Sequence, residues 1–91
     1  MIELHLDNPP KTVKEAVEML IVIWPPEELK KLASLSEADL SLCHFGIGLW
    51  IRNNFGLWAK NKALLEDAGE EHPDQASGVI IEMLWEKLQE K

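Results

Sequence analysis

The 91-residue chain has one cysteine, no tyrosine, only nine Lys and Arg, and no long hydrophobic run. Each shortage excludes something. A lone Cys43 can close no internal disulfide and cannot supply a Cys-rich zinc site. Nine cations against 16 acids leave a net charge of −7, the wrong sign for gripping a phosphate backbone, so no nucleic-acid partner is expected. The longest uninterrupted apolar stretch, Met19 to Trp24, is far shorter than the ~20 residues that span a bilayer. The N-terminal Met1 to Asp7 lacks the cationic-then-apolar order of an export signal, so no membrane is expected and the cytoplasm is the default location. No helical pair of His and no Cys/His spacing suggests a metal, and no cofactor fingerprint is present.

What is present is an ordinary globular composition, 46% hydrophobic and 27% charged, on a chain too short for two cores. Helix signals recur along it. Thr12 and Glu15 have capping-box spacing, and Val13, Ala16, Val17, Leu20 and Ile21 follow at helical period. Pro25-Pro26 must end that helix, and Pro26 suits the first turn of the next, with Leu29, Leu32 and Ala33 facing inward. Ser36 reads as an N-cap, and a third helix is predicted from Glu37 to about Asn54. Leu40, Cys43, Ile47, Trp50 and Ile51 share one side of it, while Leu42, Phe45 and Leu49 share the other. A helix apolar nearly all round is usually enclosed, so this one is expected at the centre. Phe55-Gly56 reads as its stop, followed by a shorter helix over about 61–68 that ends at Gly69. Pro73-Asp74 opens a last helix to about Gln89, with Ala76, Val79, Ile80, Met83 and Leu84 as its buried stripe. The alternation Ile2 to Leu6 is the only strand-like run, and a lone strand has no partner. The fold expected is all-α: a bundle of four to five helices around a central buried helix (about 37–54).

Two glycines inside that central helix each cost about 1 kcal/mol relative to alanine. Close approach of a neighbour to Gly46 and Gly48 is the expected compensation, with a ligand space beside His44 as the alternative. His44, Gly48 and Arg52 stand at i, i+4, i+8 and form one strip. A buried guanidinium there needs a carboxylate, and Asp74, Glu82 or Glu86 can supply one. The arrangement is either a fixed ion pair between helices or an anion site with His44 as donor or proton carrier. Asn53 and Asn54 suit a helix end and can also present a recognition surface. Four tryptophans are many for this length. Any of them left exposed is an anchor for a partner protein, and Trp50 and Trp58 flank the Arg-Asn-Asn turn. Cys43 lies on an apolar side, and Ser77-Gly78 belongs to no nucleophile elbow, so no catalytic set emerges.

The run from His44 to Trp58 (His-Phe-Gly-Ile-Gly-Leu-Trp-Ile-Arg-Asn-Asn-Phe-Gly-Leu-Trp), with His72-Pro-Asp74 and Ser77-Gly-Val-Ile-Ile81 after it, resembles a family of small bacterial proteins of unknown function. The resemblance covers residues 40–88. It implies a bacterial cytoplasmic domain with no established activity, and groups Arg52, Asn53, Asn54, Pro73, Asp74 and Ser77 into one constellation. Two functions stay open. One is a protein-interaction module that docks another protein beside the Arg52-Asn53-Asn54 turn. The other is a small anionic ligand or catalytic site built from His44, Arg52 and Asp74. A second copy of the chain, met through the first helix, is a further partner to consider.

Overall fold

Thr12 begins the first helix as the residues around it require. In the computed structural model, which describes residues 9–58 and 61–90, its hydroxyl accepts from the Glu15 amide at 3.1 Å and α1 runs Val13–Ile23. The Glu15 carboxylate turns back to the Lys11 amide at 3.3 Å, and Asp67 adds an acceptor for the Val13 amide at 2.7 Å. Pro26 starts α2, Pro26–Ser34. The expected third helix is wound in three ways: a 3-10 helix at Glu37–Cys43, a π-helical stretch at His44–Gly48, and α3 at Leu49–Asn54. Then come α4, Lys62–Ala68, and α5, Pro73–Gln89. No strand occurs among the described residues, and the Ile2 to Leu6 alternation lies outside them.

The all-α bundle with a helix at its centre agrees with the sequence reading, but the centre is α5. It touches α1, α2, α3, α4 and the 3-10 and π-helical stretches. Its Ala76, Ser77, Ile80, Ile81 and Leu84 are buried, and the four apolar ones share one hydrophobic cluster with Val13, Ala16, Val17 and Leu20 of α1, Leu32 of α2 and Leu64 of α4. The 37–54 segment lies against this axis by one flank only. Ile47, Trp50 and Ile51 are buried, whereas Leu42 is 74% exposed and Leu49 also faces solvent. The second apolar flank is thus left outside at Leu42 and Leu49, while the side chain of its third member, Phe45, lies outside the described residues. Met83, expected in the core, is 45% exposed at the edge of the α5 stripe.

Two side chains of α5 close the open end of α2. Trp85 donates its indole N–H to the Leu35 carbonyl and Gln89 donates to the Ala33 carbonyl, both at 2.9 Å. Helix ends leave such carbonyls without partners of their own.

Candidate functional site

Helix α3 is stopped by a glycine. Gly56 has φ 72°, a left-handed conformation that side chains with a Cβ resist, and the Leu57 amide reaches back to the Arg52 carbonyl at 3.2 Å. The turn places Arg52, Asn53, Asn54 and Trp58 close together, each with a different task. Asn54 donates its side-chain amide to the Trp50 carbonyl one turn back on α3 at 2.9 Å. Asn53 turns outward and accepts the Trp58 indole N–H at 2.9 Å. Trp58 is therefore held in one position while 58% exposed. Beneath the turn, Asn61 is buried, with its amide donating to the carbonyls of Pro10 and Phe55 at 2.7 and 2.8 Å and its oxygen accepting from Leu64. Asn ahead of a helix marks an N-cap, but nothing local announces the two distant carbonyls.

Arg52 points the other way, into the bundle, and is 3% exposed. Its Nε stands 3.3 Å from Asp74 Oδ1, and its Nη1 donates to Ser77 Oγ at 3.0 Å. Ser77 Oγ in turn donates to the Asp74 carbonyl at 2.9 Å. Pro73 starts the helix that carries both partners. Of the three acids the sequence offers to Arg52, Asp74 is the one that meets it. Glu82 and Glu86 stand with Glu37 instead, their carboxylate oxygens within 4.8 Å of one another and all three side chains exposed. Those acids have the spacing of oxygen ligands, but all three are exposed, and a solvated acidic face accounts for them.

Gly48 lies under the guanidinium. A Cβ there would meet Arg52 Nη1 at 3.1 Å, the Cys43 carbonyl at 3.2 Å and Ile81 at 3.4 Å, so close approach explains this glycine. Gly46 has no such neighbour within 4 Å, and the packing explanation fails for it. The His44 side chain lies outside the described residues, so the His44–Gly48–Arg52 strip is described only at its last two members. The π-helical winding also breaks the α-helical register in which the three were aligned.

The other indoles are structural. Trp50 is buried edge-on between Trp24 and Phe55, with ring centroids at 5.1 and 5.5 Å, and its Nε1 has no hydrogen-bond acceptor among the described residues. Trp50 is thus core, not a contact surface. Burial raises the Cys43 thiol pKa above its ordinary value, which makes it a poor nucleophile. A cleft of about 300 Å³ between the 3-10 helix and α5 touches the Arg52 clasp only through Ser77. No helix among the described residues is long and apolar enough to cross a membrane.

No curated protein and no solved structure is similar enough to count as a match. Residues 9–88, which include the clasp, the turn and every described helix but the last residue of α5, match DUF6794, a domain of unknown function, and the chain belongs to that family.

Proposed function

We propose that this domain is a non-catalytic protein-interaction module of the bacterial cytoplasm, with the turn that closes α3 as its contact surface. The observation that carries this is Trp58: a large aromatic ring 58% exposed, with its one polar atom already bonded to Asn53. Burying such a ring against a partner removes apolar area from water without leaving an unsatisfied N–H, and little rotamer freedom remains to be lost. Tryptophan is also the residue over-represented among binding hot spots. Leu49, exposed one helical turn before Asn53, extends the apolar surface. The Arg52–Asp74–Ser77 clasp supports the same reading, since it fixes α3 to α5 beneath the turn. A guanidinium 3% exposed and engaged on both Ser77 and Asp74 supports a structural role over an anion site. The bacterial and cytoplasmic setting is supported by the sequence resemblance and by a single unpaired thiol.

The test is affinity capture with the immobilised domain, comparing wild type with Trp58→Ala and Asn53→Ala. Both variants are expected to keep the wild-type melting curve. Proteins retained by the wild type are expected to be lost with Trp58→Ala and reduced with Asn53→Ala, which frees the ring. Equal retention by Trp58→Ala rejects the proposal.

A further inference from the structure

A cleft of about 280 Å³ lies between α2 and the π-helical stretch. Trp24, Leu32, Leu35 and Ile47 form its walls, and the exposed Gly46 stands at its mouth. Two features beside it have no part in packing. A glycine inside a helix is costly, yet a Cβ at Gly46 would meet nothing within 4 Å, so no close neighbour accounts for it. What the missing side chain does is keep the mouth wide. The second feature is the Trp50 indole, 9% exposed, whose Nε1 has no hydrogen-bond acceptor among the described residues. Buried Trp N–H groups usually find one. Side chains on a helix lean over the preceding turn, and for Trp50 that turn carries Gly46 and Ile47. Its ring also meets the Trp24 wall edge-on at 5.1 Å. The unsatisfied donor therefore stands directly behind two walls of the cleft.

From this we infer that the cleft is a binding site for a small apolar molecule with one uncharged oxygen acceptor, a cyclic ketone in type. The apolar body lies against Trp24, Leu32 and Leu35, and the oxygen accepts from Trp50 Nε1. The volume sets the size, since it falls at the small end of ligand sites, which run from roughly 300 to 1,000 Å³. The walls set the charge. A carboxylate would lose its water there, and the one cation of the lining, Lys31, is exposed and 3.5 Å from Glu28. The donor sets the acceptor, because a plain hydrocarbon would fill the cleft and leave the N–H unsatisfied. The π-helical winding fits the same reading, since such turns are frequent at functional sites. This site shares no residue with the Trp58 surface.

Nuclear magnetic resonance of the nitrogen-15-labelled full chain tests this, because the four tryptophans give separate indole N–H signals. The probes are cyclohexanone and benzene, the latter an apolar ring of similar size without an oxygen. Cyclohexanone is expected to move the Trp50 indole signal downfield and to saturate with a Kd of about 1 mM, as suits so small a ligand. Benzene is expected to bind about tenfold more weakly, the worth of the hydrogen bond, and to leave that downfield shift out. Gly46→Leu, which puts a side chain across the mouth, is expected to keep the wild-type melting curve and bind neither probe. Trp50→Phe is expected to bind both probes alike, and Trp58→Ala to titrate as wild type. No saturable shift at the Trp50 indole overturns the inference. So does equal binding of the two probes by the wild type, and so does wild-type binding by Gly46→Leu. If Trp50→Phe fails to fold, the probe comparison and Gly46→Leu still decide.

Discussion

At the scale of single residues, the consequences concern what each side chain leaves behind when removed. Asp74 is 58% exposed and Arg52 3%, so the pair is lopsided. Losing the acid removes a carboxylate from beside a buried guanidinium, while losing the base leaves an acid already in water. Asp74→Ala is expected to cost about 1–2 kcal/mol in urea unfolding, discounted for the exposure of the carboxylate. In an Arg52→Met background the same change is expected to cost only about 0.5 kcal/mol, the share owed to the α5 dipole. Equal costs in both backgrounds would show that the two side chains are not coupled. The glycines separate in the same way. Gly48→Ala forces a methyl against a backbone carbonyl and is expected to lower stability by about 1 kcal/mol, a fall in Tm of roughly 4–8 °C. Gly46→Ala meets nothing and gains helix propensity, so its melting point is expected to hold or rise. Calorimetry on the two variants checks the contrast.

At the scale of elements, α2 depends on α5 for its last turn. Trp85→Phe keeps an aromatic ring, smaller than the indole, and removes the donor to the Leu35 carbonyl, and is expected to cost about 1 kcal/mol of stability or somewhat more. A thermal melt indistinguishable from wild type would mean that water replaces the bond without loss. This latch also marks the limit of what a linear reading reaches. Thr12, Pro26, Gly69 and Pro73 announce helix ends through local chemistry, and α1, α2, α4 and α5 begin or end where those residues place them. The winding of 37–54 has no such local marker. It changes from 3-10 to π to α where Arg52 crosses Gly48 and Ile81 presses from α5, and those neighbours are set by tertiary packing. Burial was misplaced for a related reason: a helical wheel shows that Leu42 and Leu49 are apolar, but not whether another element stands opposite them. In the candidate site, the Arg52–Asp74–Ser77 grouping was legible because a buried guanidinium demands a carboxylate. The Asn53–Trp58 bond, the Asn61 hub and the Asp67 cap of α1 were not, because no spacing encodes a partner across a turn or 51 and 54 residues away.

At the scale of the whole molecule, one helix touches nearly all the others, and stability should be distributed accordingly. Amides of α5 between Ala76 and Leu84, whose side chains reach the core from both ends of the chain, are expected to exchange hydrogen most slowly, at the rate of global unfolding. Amides of the 3-10 helix, which has no buried residue, are expected to exchange far sooner. Native-state exchange followed by mass spectrometry measures both. Slower exchange in the 3-10 helix than in α5 would contradict the architecture described here.

The latch between α5 and α2 also bears on how the chain is made. Leu35 and Ala33 find their donors 50 and 56 residues downstream. During translation α5 follows the other helices out of the ribosome, so α1 to α4 emerge without the axis they wrap around. The nascent chain can form helical turns but cannot close its core until Trp85 and Gln89 have left the exit tunnel. Until then its apolar flanks are open to chaperones and to neighbouring chains on the same message.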